Sequence, residues 1–304
     1  MRQSMTDATP MVVQAITACI SQSLGAIPSN HYLSALRCLQ TWMSFLRTKQ
    51  VPLHIFPSTS WHQHVVSDVT PLIPILISLL DPSFPDESIF VAASDALQEI
   101  TSKSPLSDGS GSKTLTEPLL VWFDVVGNRI MESTLATNEI SLVSHSLCKL
   151  LVALGDHSAS YIAVNISSPT TLSTTSPTTK GHLTQNFLRL LLAYTGLPGY
   201  YGIDEEESEM TLGFWYLYQE ALWCTDYYLE DGGEERSSVP LDTGNRGEAQ
   251  EVLMAKAVYS ELVKVLRRKV AFPPAGSGWL RGRTSLRLVS MNHHVHHYLN
   301  RSDW

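Results

Sequence analysis

LTEPLLVWFDVVGNRIM (residues 115–131), followed by NEISLVSHSLCKLLVAL (residues 138–154), carries the pattern on which the fold turns. In the first stretch Leu119, Leu120, Trp122, Phe123, Val126 and Ile130 recur at helical spacing. In the second, Ile140, Val143, Leu147, Cys148, Leu150 and Leu151 do the same. That period puts each set on one face of a helix. Two such helices joined by a short link make an antiparallel pair, and a pair with an open apolar face becomes stable by stacking on its neighbours.

The rhythm extends both ways. Upstream it predicts a helix over 10–24 that stops at Gly25, and one opened by Asn30 that carries Tyr32, Leu33, Leu36, Leu39, Trp42, Met43 and Leu46. It also predicts a helix over 71–80 with Thr70 as cap and Pro71 in the first turn, and one from Asp86 through Ile100. Downstream it predicts helices over 183–194, 211–228 and 248–269. The nine helices group as four pairs and one unpaired helix, at roughly 40 to 60 residues per pair, near the HEAT and armadillo period. Alternating strand-like runs are almost absent. The expectation is an all-α protein, an α-α superhelix (HEAT/ARM-repeat solenoid) over residues 1–274, with a compact bundle as the competing arrangement. Residues 275–304 have aperiodic apolar residues and read as a divergent, disordered tail. Three polar stretches read as flexible insertions: 104–113, 166–181 and 230–247. In the second of these, ten of the thirteen residues from Ser167 to Thr179 are Ser or Thr.

With 304 residues and 43% hydrophobic side chains, the chain can bury a core, so wholesale disorder is excluded. A formal charge of -8 argues against nucleic-acid backbone as the main partner and favours basic proteins. Cys19, Cys38, Cys148 and Cys224 show no CxxC spacing, which fits a reducing compartment. The first residues have no apolar signal core, and the longest apolar run, Leu72 to Leu80, is about half a membrane span and contains Pro74. A soluble cytosolic or nuclear protein without a membrane segment is expected.

The chain carries no Walker loop, no GxGxxG after a strand, no HExxH and no GxSxG elbow. His293, His294, His296 and His297 are ligand-type side chains, but no Cys or carboxylate accompanies them at ligand spacing; His62 and His64 beside Trp61 have the same weakness. The pair Glu205 and Glu206 sits on an acidic turn rather than in a pocket. The reading is a non-enzyme without metal or cofactor.

Charge is segregated. From Asp204 to Glu235 there are eleven acids and no Lys or Arg; from Lys264 to Arg287 there are seven basic residues and no acid. The acidic run is either a solvated helix lead-in favoured by the macrodipole or a patch for a basic partner. Beside it, Trp215, Tyr216, Tyr218, Trp223, Tyr227 and Tyr228 cover more than one side of a helical wheel, so some of them face outward.

Four segments carry a family resemblance. LPGYYGIDEEESEMTLGFWYLYQEAL (197–222) resembles an element of the importin-β superfamily of nuclear transport receptors, in the branch that contains importin-thirteen and transportin-SR. SIFVAASDALQEITS (88–102), LCKLLVALGDHSASYI (147–162) and ELVKVLRRKVAFPP (261–274) are similar to further segments of that family, in the same order. The resemblance implies HEAT repeats from the middle of a receptor, with the second helix of each pair lining a concave side that meets cargo. It implies a basic protein cargo, Ran GTPase as a second partner, nucleoporins, and shuttling between cytoplasm and nucleus in protein import. It also places the chain downstream of the N-terminal repeats that hold the main Ran site, so a segment of a longer receptor is expected. Asp204, Glu205, Glu206, Glu207, Glu209, Tyr216 and Glu220 are the partner-binding candidates. A HEAT scaffold unrelated to transport is the alternative. The tail after Pro274 departs from the family pattern, which leaves the ninth helix without a partner, its face from Val252 to Leu266 open and prone to self-association.

Overall fold

The computed structural model describes residues 8–21, 28–47, 69–84, 86–102, 112–173, 176–198, 206–223 and 250–270. The stretches 51–68, 224–249 and 271–304 lie outside the described residues, and with them fall the 230–247 insertion, the 275–304 tail and both histidine groups.

The protein is all-α, of the helical-repeat class, with one small hairpin among the described residues. In chain order the helices are α1 (Thr9–Ile20), α2 (Ser29–Arg47), α3 (Leu72–Ser78), α4 (Glu87–Thr101), α5 (Glu117–Trp122), α6 (Asn128–Thr137) and α7 (Leu142–Asn165). Strands β1 (Thr171–Ser173) and β2 (Ser176–Thr179) follow, then α8 (Lys180–Thr195), α9 (Glu206–Met210), α10 (Leu212–Trp223) and α11 (Gln250–Lys269). They fall into two compact units. One holds α1 to α5 and the first part of α7; the other holds α6, the end of α7, the hairpin and α8 to α11.

In the first unit α4 is the central element. Asp86 caps it by accepting from the Ser88 N–H at 3.0 Å, and the helix buries Ile89, Phe90, Ala92, Ala93, Ala96, Leu97 and Ile100. The small Ala side chains let α4 pack closely on α2, whose Tyr32, Leu36 and Leu39 are fully buried. Trp122 stacks at a tilt on Phe90 and donates Nε1–H to the Leu80 carbonyl at 3.1 Å, satisfying an orphan at the end of α3. Ser94 is buried and donates to the Ser146 carbonyl at 3.1 Å.

Three local expectations change. The helix expected over 115–131 is interrupted by π-helical turns at Ser112–Thr116 and Phe123–Gly127. Pro118 has no N–H to give back along the helix, which accounts for the first break. Asn138, expected to begin the next helix, instead ends α6 with φ 55°, the left-handed cap that Asn tolerates. The following helix starts at Leu142, where Ser141 Oγ accepts from the Ser144 N–H at 3.1 Å, and Ile140 is left exposed. It then runs past Leu154 to Asn165 through a non-helical Ser158.

The stretch expected to be a flexible insertion at 166–181 contains the hairpin, with Thr171 opposite Thr179 and Ser173 opposite Ser176. β-Branched Thr favours the extended backbone, and Thr179 then caps α8 by accepting from the His182 N–H at 3.1 Å. Gly181 permits this join: a Cβ there would lie 2.7 Å from the Ser168 carbonyl oxygen. α7 has the length and apolar composition of a membrane span, but Leu147, Leu150, Leu151, Leu154 and Ile162 are buried inside the protein, as in a core helix.

His157, on α7, has a buried Nε2 with no hydrogen-bond partner among the described residues, and burial lowers its pKa from 6.5 to about 4. The unfolded chain therefore takes up a proton on this residue at a higher pH than the folded one. The neutral ring's contribution to stability is fully present above pH 6.5 and is lost as pH falls towards 4. Each pH unit in that window is worth at most about 1.4 kcal/mol, less where solvent screens the ring. Urea unfolding at pH 7 and pH 4.5 checks this: wild type loses on the order of 1–2 kcal/mol more than His157→Gln, and equal losses contradict it.

Candidate functional site

The site grows from the end of α8. Thr195 is fully buried, and its Oγ1 lies 2.7 Å from the Leu191 carbonyl, 2.8 Å from Thr211 Oγ1 and 2.9 Å from Trp215 Nε1, which donates to it. Thr211 Oγ1 also reaches the Ser208 carbonyl at 2.7 Å, and Ser208 donates to the Thr195 carbonyl at 2.7 Å. Two threonine protons are thus shared among the two carbonyls and the hydroxyl pair, so three helices meet on one satisfied polar node. A buried hydroxyl without such partners would be costly.

Around the node lies an aromatic core. Phe187 meets Phe214 edge-on at 6.0 Å, Phe214 stacks on Tyr218 at 5.6 Å, and Tyr218 stacks on Tyr259 of α11 at 6.0 Å. Tyr259 also donates its hydroxyl to the Trp215 carbonyl at 2.8 Å, and burial pushes its pKa up. This docks α11, which was expected to lack a partner: Ala255, Val258, Leu262 and Val265 are buried and α11 packs on α8. Only part of its apolar surface, including Leu253 and Val263, remains exposed.

α10 is two-sided. Phe214, Trp215, Tyr218 and Ala221 face the core, while Leu212, Gly213, Tyr216, Glu220 and Trp223 are exposed along the other side. Tyr216 is 63% exposed and donates its hydroxyl to Glu220 Oε1 at 2.7 Å, which raises the pKa of the phenol. Trp223 is 75% exposed, and among the described residues no atom comes within 4 Å of a Cβ placed on Gly213. The result is an open face of apolar and aromatic surface bearing a carboxylate.

Of the acids expected beside it, Asp204 and Glu205 lie outside the described residues. Glu206 and Glu209 are exposed on α9, whereas Glu207 is 8% exposed and belongs to the packed side of that helix. A five-residue helix anchored by Ser208 cannot turn every one of its acids outward. Tyr216 and Glu220 are brought together as an i, i+4 pair. Trp223 and Leu212 join the face although the charge pattern did not single them out; the helical wheel, with a surplus of large side chains, was the available signal.

A second polar cluster lies at the other end of α8. Asp124 Oδ1 accepts from Asn186 Nδ2 and sits 3.6 Å from His182 Nε2, while Arg189 donates to Asn186 Oδ1 at 3.1 Å. These side chains bond to one another and tie the Phe123–Gly127 turn to α8. Among the described residues no group of three or more His, Cys, Asp or Glu side chains is placed to hold a metal ion. A small crevice between α8 and α11 is lined by Ile166, Gln185, Leu188, Arg189, Leu192, Met254 and Val258.

No family model matches the chain. Among known proteins it is similar to importin-13 from Gallus gallus, Homo sapiens and Mus musculus, each 27% identical over 133 residues, or 43% of this chain. The matched region spans 10% of the length of those relatives.

The node and the face make opposite predictions. Trp215→Ala costs about 3–5 kcal/mol of stability, and Thr195→Val, which strands the Trp215 N–H, costs about 1–3 kcal/mol. Tyr216→Ala and Trp223→Ala stay within about 0.5 kcal/mol of wild type. Chemical denaturation of the four variants measures the contrast, and a core-sized loss at Tyr216 or Trp223 contradicts the two-sided assignment.

Proposed function

We propose that this chain is part of a nuclear transport receptor of the importin-β type, and that it binds protein cargo without catalysing a reaction. The similarity to importin-13 together with the all-α repeat fold supports the receptor reading. The observation that carries the binding role is the exposed face of α10, where Tyr216, Glu220 and Trp223 stand beside Glu206 and Glu209 with no Lys or Arg between residues 204 and 235.

Carboxylates beside exposed aromatic rings suit a basic cargo segment. A Lys or Arg head gains charge-assisted bonds from the acids and cation–π contact from the rings, and its aliphatic stem covers apolar surface. Complementary charge speeds encounter and selects against acidic partners more than it adds raw affinity. In this reading the cargo is a basic protein, Ran is a second partner whose GTP form drives release, and the receptor shuttles between cytoplasm and nucleus.

Two measurements test the reading. Glu206→Lys combined with Glu209→Lys leaves the circular dichroism spectrum unchanged and weakens binding of a fluorescent Lys/Arg-rich peptide about tenfold, equivalent to ~1.4 kcal/mol. Unchanged binding would reduce the acids to a solvated helix lead-in. Pull-down with Ran loaded with GTP or GDP is expected to favour the GTP form; binding in neither state removes Ran and leaves a cargo-binding scaffold.

A further inference from the structure

α11 carries the complement of the α10 face. Its exposed residues Leu253, Lys256, Ser260, Val263 or Lys264, and Arg267 lie along one side at steps of three or four, and Val270 continues the line just beyond the helix. Leu253, Val263 and Val270 are all at least half exposed. Glu261 engages Lys264 from the flank, and Glu251, at the other edge, accepts from Ser167 Oγ at 2.7 Å. The exposed side of α11 is therefore apolar and basic, with no exposed acid.

The α10 face is apolar and acidic. Leu212, Tyr216, Glu220 and Trp223 are its exposed residues, and Glu206 and Glu209 precede it. The two strips are also similar in length: about 16 Å from Leu212 to Trp223 and about 21 Å from Leu253 to Arg267 at the helical rise.

We infer that the α10 face of one copy of this chain docks on the α11 face of another, in a head-to-tail contact. Charge complementarity selects this arrangement over the symmetric ones. Pairing α11 with its own copy sets Lys256, Lys264 and Arg267 against the same three cations, and pairing α10 with its own copy sets Glu220 against Glu220. Only the unlike faces combine opposite charge with apolar contact. Since a joined pair keeps one free face of each kind, further copies add to it, and association grows with concentration. Two helix faces of this size fall below the area of a standard stable interface, so the contact is weak and sensitive to salt. It covers the face proposed for cargo, so basic cargo and a second copy compete for it.

Sedimentation velocity on the full chain tests the contact. In low salt the average sedimentation coefficient rises across roughly a hundredfold range of concentration, and 0.5 M NaCl reduces the rise. Glu220→Lys combined with Trp223→Lys disables one face; Leu253→Asp combined with Val263→Asp disables the other. All four positions are exposed, and circular dichroism confirms that both variants fold. Each variant alone sediments as a monomer, while an equimolar mixture forms a heterodimer and goes no further, because one intact face of each kind remains. A monomeric wild type at every concentration overturns the inference. So does either variant that still associates alone, since that would show α10–α10 or α11–α11 pairing or a different surface, and so does a mixture that stays monomeric. The α11 variant keeps its affinity for the Lys/Arg-rich peptide if cargo binds α10, so loss of self-association and loss of cargo binding are read separately.

Discussion

A single buried hydroxyl, Thr195 Oγ1, fixes how the end of α8 meets the start of α10. It stands at the end of α8, where helix carbonyls run out of partners, and receives Trp215 Nε1 and the Thr211 hydroxyl within hydrogen-bonding distance. The Thr195 carbonyl is taken by Ser208. Without these bonds α9, only five residues long, has no intrinsic stability with which to hold its place. The peculiar order of Ser, Thr and aromatic residues in 208–216 is therefore first a packing motif. Its polar atoms are spaced to close on one another once the helices meet.

The two units bury different kinds of side chain. Around α4, alanines and a buried serine allow close helix contact, and the large residues are its own Phe90 with Tyr32 and Trp122 from the partners. Around α10, rings from four elements stack from Phe123 through Phe187 and Phe214 to Tyr259. Small-residue packing tolerates little added volume, whereas a chain of rings gives directional contacts that set the rotation of each helix about its axis.

That rotation decides which residues α10 leaves exposed. α10 has large side chains on every side, so its own pattern does not say which face is buried. The node takes Trp215 inward, the ring stack takes Phe214 and Tyr218, and Tyr216, Glu220 and Trp223 are left on the other side. The packed side of α10 and the face proposed for binding thus lie on opposite sides of one helix.

The all-α class and the order of most helices were readable from residue spacing, because a period of 3.6 with one apolar face is a local property. Asp86 as a cap was readable for the same reason. The π-helical turn at Phe123–Gly127 and the Thr-rich hairpin were not, because each depends on how neighbouring segments meet. The acids show the division most sharply. Sequence alone determined that Glu206, Glu207, Glu209 and Glu220 form a run without counter-charge. Tertiary structure decided that Glu207 is buried while Tyr216 and Glu220 pair on an open face, and that α11 has a partner along one side only. Charge and periodicity are written in the chain, but the direction in which a helix turns its faces is set by the hydrogen bonds and rings it meets.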